Sequence, residues 1–398
     1  MILDDDELQD EYDEVIFPTL LSRKRARRYG VGGKDTTAPT LTLPLDLPLS
    51  DVTGYLGVTT DNAGGTLYYV VTTSATPPTK AQVKAGEDHA STAATFAGSQ
   101  AISSTGAKTD TATGLSPNTA YYAYFMHEDA AANQSSVSAA NGFTTLTTGT
   151  SDTSFDTLIA AMTGAPTDLR KGYIAQCIQA LYAGGAWAQL DTLWVAAAHD
   201  SQAATLNWIA PASFTLVPTN SPTFTADRGW TTNGTDSWLA TGWDPSTNGV
   251  NYQRNDANLA VYSLADTSGS NNLDFGSETG SPAQSGIRGR AGTGAASRIN
   301  NTAIGVACTG AAALPLHLMA MRSVSTDHTI WRDGVQNNTI ADASVAPNTV
   351  DFAIGKTAGV FIGRQVAAHH LGGALTTDEG LALYNALHTY MVAVGADT

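Results

Sequence analysis

Leu115-Ser-Pro-Asn-Thr-Ala-Tyr-Tyr-Ala-Tyr-Phe125 decides how the first half of this chain is read. Pro117 and Asn118 suit a turn, and the aromatic run from Ala120 to Phe125 suits a strand. Working outward, the same texture recurs in Thr40-Leu-Thr-Leu-Pro-Leu-Asp-Leu47, Gly65-Thr-Leu-Tyr-Tyr-Val-Val-Thr-Thr73 and Phe143-Thr-Thr145. Short runs divided by Gly, Pro, Asn and Ser predict a small antiparallel sandwich over residues 37–148.

The bulk numbers agree with a mainly β chain. Of 398 residues, 42% are hydrophobic and only 14% are charged, against about 25% charged in ordinary soluble domains. The surface is therefore polar but largely uncharged, and the Thr, Ser, Asn and Gly that fill it favour short strands and turns. The length suggests two or three domains. A net charge of −16, from 36 acidic and 20 basic residues, opposes contact with nucleic-acid phosphates, so no direct nucleic-acid role is expected of the body. Cys177 and Cys308 are too few for a disulfide framework and are expected to be buried free thiols. No secretory signal is visible and no apolar run is long enough to cross a membrane, so assembly in a cytoplasm is expected.

Residues 1–36 differ from the rest. Asp4, Asp5, Asp6, Glu7, Asp10, Glu11, Asp13 and Glu14 precede Val15-Ile-Phe17 and the basic run Arg23, Lys24, Arg25, Arg27 and Arg28. A polyampholyte of this kind has too little apolar surface for its own core. Two readings stand: a disordered tail, or an anchoring arm ordered against a partner.

Thr147-Thr-Gly-Thr-Ser151 has the composition of a flexible linker and opens a connector over residues 149–189. Phe155, Leu158, Ile159 and Met162, then Leu169, Tyr173, Ile174, Cys177, Ile178 and Leu181, recur at spacings of three and four. They predict two helices packed by one face against the next domain, the second starting at Pro166-Thr167 and stopping at Gly184-Gly185. From residue 190 the signals return to strand and turn, in Asp191–His199, Phe214–Val217, Pro222–Thr225 and Trp238–Trp243. Asp333-Gly334 predicts a tight hairpin, and Thr376-Thr-Asp-Glu379 starts a terminal helix running to about Met391.

Leu115-Ser-Pro-Asn-Thr-Ala-Tyr121 has the Leu-x-Pro-x-Thr-x-Tyr spacing of fibronectin type III modules, which this segment resembles. The resemblance implies a tyrosine corner at Tyr121, its hydroxyl bonded to nearby backbone. Pro77-Pro-Thr-Lys-Ala-Gln-Val-Lys-Ala-Gly86 resembles an insertion in bacterial and phage versions of the module. Residues 190–398, with the Asp-Gly hairpin, Phe361-Ile-Gly363, Leu371-Gly-Gly-Ala-Leu375 and the terminal helix, resemble concanavalin A-like jelly rolls of the laminin-G type. Ala165-Pro-Thr-Asp-Leu-Arg170, Gly185-Ala-Trp-Ala-Gln-Leu-Asp191, Ala198-His-Asp-Ser-Gln-Ala203, Asn207-Trp208 and Ser221-Pro-Thr-Phe-Thr-Ala-Asp-Arg-Gly229 are similar to a recurrent C-terminal module of phage and prophage virion proteins. That resemblance implies a tail fibre, spike or head-decoration protein of a virion; a homo-oligomer or a multicopy subunit, held to other virion proteins by the basic run, is expected.

Catalysis finds little support in the residues. A retaining glycosidase needs two carboxylates about 5 Å apart. Asp274 and Glu278 are the nearest pair in the body, but Gly276-Ser277 between them suggests a loop. His369 and His370 are adjacent and would point to opposite faces of a strand, which suits surface or interface positions better than a metal site. His199-Asp200 has no activated nucleophile beside it and reads as a structural hydrogen bond. Gly286-Ile-Arg-Gly-Arg-Ala-Gly292 lacks the Lys-Ser/Thr of a phosphate loop and reads as a mobile loop. No enzyme, metal or cofactor is expected.

Trp230, Trp238, Trp243, Tyr252 and Tyr262 lie among Asn and Asp, as aromatic rings do where sugars bind. Burial makes a place in the sandwich core the commoner role for such rings. The expectation is contact with host surface glycan through the jelly roll, with a purely architectural subunit and a polysaccharide depolymerase as the two alternatives.

Overall fold

The computed structural model describes residues 35–267, 272–277, 284–290, 294–302, 308–310 and 313–397. The chain is mainly β. The basic run Arg23, Lys24, Arg25, Arg27 and Arg28 lies outside the described residues, as does Glu278.

The first body is a two-sheet sandwich. Leu41–Pro48, Gly54–Thr60 and Gly106–Ala112 form a three-stranded antiparallel sheet, faced by a four-stranded sheet ordered Phe96–Ala101, Thr66–Thr72, Ala120–Glu128 and Asn141–Thr144. Leu56, Val58, Leu67, Tyr69, Phe125 and Phe143 fill the space between. The ring of Tyr121 is buried in this core, and its hydroxyl accepts a hydrogen bond from the Ser116 amide at 2.9 Å. Residues Lys80–Ala85 form helix α1, whose start is fixed by a reciprocal capping box between Thr79 and Gln82.

One carboxylate lies on the wrong side of this sandwich. Register places Asp46 opposite Leu56, hence on the inner face, and its side chain is buried with no hydrogen-bond partner in good geometry, the Gly57 amide being at most a weak one. Burial pushes its carboxyl up to about 8, the Gly57 amide opposing only in part.

The segment expected to be a flexible linker is a short turn, exposed at Thr148, Gly149 and Thr150 and tied at its ends. Leu146 is fully buried, and Ser151 Oγ accepts from the Thr147 amide at 2.9 Å. Helix α2 begins at once (Ser151–Ala161) and helix α3 follows (Asp168–Ala183), capped by the Thr167 hydroxyl. On one side α3 meets the first sandwich so closely that a Cβ on Gly172 would lie 2.7 Å from Leu47 Cβ.

The second body is a larger sandwich. Its eight-stranded sheet runs Thr223–Thr225, Gly229–Thr231, Arg364–Gly372, Ala257–Asp266, Leu316–Arg322, Asp327–Arg332 and Val335–Ala341, with Leu190–Val195 also pairing with Arg364–Gly372. Its six-stranded sheet runs Ala296–Asn301, Gln284–Arg288, Phe275–Ser277, Ala353–Ile354, Trp238–Ala240 and Val217–Thr219. Gln284–Arg288 is thus a paired strand, not the mobile loop its glycines suggested; Gly286 sits opposite Gly276 in the ladder.

The eight-stranded sheet is covered on both faces. Leu259, Val261, Leu318 and Ala320 point toward the six-stranded sheet, whereas Ala260, Tyr262, Met319 and Met321 point toward α2, α3 and the terminal helix α4 (Thr377–Ala393). Burial on two faces is why these strands read as continuous apolar runs rather than alternating ones. Asp333 and Gly334 both have positive φ, 51° and 75°, the pairing that a type I′ hairpin needs.

Candidate functional site

Four of the five aromatic residues considered for ligand contact are buried in these layers. Trp243 is fully buried, with ring centroids 5.6 Å from Tyr252 and 5.8 Å from Phe352. Tyr252 donates its hydroxyl to Ser285 Oγ at 2.8 Å. Trp230 is 6% exposed and packs on Phe224 at 5.2 Å. Tyr262 lies beneath α4, hydrogen-bonded to Asp397 and 3.1 Å from His388 Nδ1. None of these rings offers a face to solvent, because each satisfies the apolar demand of an interior and, for the tyrosines, has an internal partner.

Trp238 is the exception. In Trp238-Leu239-Ala240 the middle residue enters the core and the outer two are half-buried, since neighbours on a strand point to opposite faces. Register then sets Ala240 opposite Ala353, and Ala353 opposite Gly276. Three small residues in a row across three strands leave a depression on the outer face of the six-stranded sheet. Trp238, Asp351, Lys356 and Thr357 line it, and it encloses about 200 Å³.

The far wall is the short hairpin Lys356–Thr357 with Val360–Phe361, turned by Ala358 and Gly359 at φ of 50° and 77°. This turn places Lys356 Nζ 4.3 Å from the Trp238 ring centroid and 5.5 Å from that of Phe361. Asp351, the carboxylate lining the depression, makes no ion pair with that ammonium among the described residues. Sequence reasoning missed Lys356. The alternation Trp238-Leu239-Ala240 did signal that Trp238 faces away from the core if Leu239 faces into it.

Two larger depressions follow the seams of α3. One, of about 490 Å³, lies against the first sandwich and includes Asn118, Tyr122, Gln176 and Gln179. The other, of about 460 Å³, lies against α4 and includes Tyr173, Cys177 and Asn385. Both are gaps between packed layers.

The remaining chemically suggestive groups are structural in their contacts. Asp274 is fully buried, 3.0 Å from Arg364 Nε, with a 2.6 Å hydrogen bond from the Gly289 amide. Burial raises its carboxyl to about 6, and Arg364 opposes that rise. His199 Nε2 donates to the Gly164 carbonyl at 2.9 Å and lies 3.3 Å from Asp200. His369 and His370 do face opposite ways, but both are buried rather than superficial. His369 enters the sandwich interior 4.9 Å from Phe275, and His370 stacks on His317 at 5.6 Å beneath α4. The reason is that Arg364–Gly372 is a central strand, covered on both faces. Both cysteines are buried and free. Among the described residues no group of three His, Cys, Asp or Glu is placed to hold a metal, and no helix is long and apolar enough to cross a membrane.

No family model matches the chain, and no curated protein matches it in sequence. Among solved structures, domain 4 of AbnA, an extracellular arabinanase from Geobacillus stearothermophilus, in complex with arabinotriose, is similar at 10% identity and TM-score 0.32, over 49% of this chain and 98% of that one. Trypanosoma rangeli sialidase is similar at 14% identity and TM-score 0.37, over 68% of this chain and 43% of that one. The botulinum neurotoxin serotype D binding domain is similar at 6% identity and TM-score 0.35, over 50% and 52%. These TM-scores are too low to imply a shared topology.

Proposed function

We propose that this chain is a non-catalytic surface protein of a bacteriophage particle, and that its C-terminal sandwich holds host-cell surface glycan in the Trp238 depression. The observation that carries the binding part is Trp238 itself: a half-buried indole beside a floor of Ala240, Ala353 and Gly276. An aromatic face next to convergent polar groups suits a ligand that is apolar on its ring faces and polar at its edges, as a sugar is. At about 200 Å³ the depression suits one sugar ring of a longer chain. Affinity per site would be modest, and many copies on one particle would raise it by effective concentration.

The particle location rests on the virion-protein resemblance of residues 165–229 and on the polyampholytic arm, whose basic run would hold the protein to its neighbours. The fibronectin type III-like reading of residues 37–148 is supported by the bond from the Ser116 amide to the Tyr121 hydroxyl. The non-catalytic reading is supported by the burial of Asp274 against Arg364.

The test is binding and viscosity measured together on the full chain, mixed with surface polysaccharide from candidate host bacteria. Binding without loss of viscosity, weakened at least tenfold by Trp238→Ala, is expected. Loss of viscosity would establish a depolymerase instead, and absence of binding across the hosts would leave an architectural subunit.

A further inference from the structure

We propose that the Trp238 depression selects acidic polysaccharide, a sugar carboxylate pairing with Lys356 while the sugar ring packs on the indole. This rests on the glycan-binding reading of the same site. Lys356 Nζ already lies over the indole, 4.3 Å from its centroid, in the space a stacking sugar must enter. The ammonium has no carboxylate partner among the described residues; its contacts there are the two aromatic rings of Trp238 and Phe361. A half-exposed cation–π contact of this kind is weak enough for a ligand to displace.

The displacement is not equivalent for all sugars. A neutral ring would push the ammonium off the indole and return to it only hydroxyl acceptors, which are weaker than a carboxylate. A ring carrying a carboxylate would receive the displaced ammonium in a charge-assisted hydrogen bond at the edge of the depression. Lys356 is held within reach of that edge because its strand partner Phe361 and the tight Ala358-Gly359 turn fix the base of its side chain. Asp351 is exposed on the same rim, where water and salt screen it. On a chain of net charge −16, a lone ammonium on an aromatic platform would provide local attraction where the overall field repels anions.

The experiment measures binding of the full chain to polygalacturonate, alginate, hyaluronate and polysialate, each beside its carboxyl-reduced neutral counterpart, at low salt and at 0.5 M NaCl. At least tenfold tighter binding to the acidic form is expected for one or more pairs, with the difference shrinking at high salt. Lys356→Gln should remove the preference, so that the acidic form and its reduced counterpart bind alike. Equal binding of acidic and reduced forms, or an unchanged preference in Lys356→Gln, would overturn the selectivity while Trp238→Ala still tests the site. Failure of every polymer in both series to bind would overturn the glycan reading with it.

Discussion

His317 Nε2 and His370 Nε2 stand 3.4 Å apart in the interior, with the tilted ring of Tyr384 of α4 5.8 Å from the His317 ring. Two facing imidazole nitrogens at this distance can share one proton but cannot both carry one, so the pair is suited to neutral rings. Burial holds His317 down to about 3 and His370 well below the ordinary histidine value, and His369 on the opposite face is likewise held to about 3. Tyr262, Asp333, Asp397 and the half-exposed His388 complete the polar surroundings under α4.

A pH dependence of stability follows. Unfolded imidazoles take up protons near pH 6.5, whereas the folded ones resist until about 3. Their contribution is whole above 6.5 and is lost progressively as pH falls toward 3, at up to about 1.4 kcal/mol per pH unit for each ring. His317→Gln should therefore flatten the fall in denaturation midpoint between pH 6.5 and 5. Equal slopes in wild type and variant would refute this.

Asp46 has the opposite sign. Its carboxyl ionises near 3.8 in the unfolded chain but keeps its proton until about 8 in the folded one, so it costs stability increasingly as pH rises across that range. Asp46→Asn is expected to raise the thermal midpoint more at pH 8 than at pH 5. A gain that does not change with pH would assign the effect to packing alone.

Gly172 lets α3 touch the first sandwich. Gly172→Ala would place a Cβ 2.7 Å from Leu47 Cβ, and overpacking of this kind costs about 1–3 kcal/mol. Limited proteolysis should show cutting between the two bodies, near residues 147–150, faster than in wild type, despite the better helix propensity of Ala.

Trp238 and Trp243 should separate cleanly. Trp243→Ala removes a fully buried ring and is expected to cost about 3–5 kcal/mol, read as a lower denaturant midpoint. Trp238→Ala should move that midpoint by less than half as much while losing ligand. Comparable destabilisation by both would mean that Trp238 is a core residue.

Tyr121→Phe tests the corner. The ring would stay packed, but the Ser116 amide would lose its 2.9 Å acceptor, at a cost of about 1 kcal/mol. Equilibrium unfolding of the first sandwich checks this; an unchanged midpoint would mean that water replaces the hydroxyl without penalty.

Much of this architecture was legible in the sequence. Phe155 and Leu158, then Ile174, Cys177, Ile178 and Leu181, sit where their spacing of three and four put them, on the buried sides of α2 and α3. Asp333-Gly334 turned where its chemistry required, and Thr376 with Glu379 capped α4 reciprocally. These signals act over a few residues, so they survive without knowledge of the rest of the chain. Thr148, Gly149 and Thr150 are exposed, as the composition of Thr147–Ser151 suggests, but composition did not reveal that Ser151 already opens α2.

By itself the sequence determined the class of structure, the order of its parts and the positions of its caps and turns, since each depends on neighbours along the chain. Only the tertiary structure decided which rings face solvent, that His369 and His370 are both buried, and that Lys356 lies over Trp238. Those outcomes depend on which layers cover a strand and which distant strands share a register. A buried and an exposed tryptophan carry the same local signature, and the difference between Trp243 and Trp238 arises only when the second sheet and its hairpin are in place.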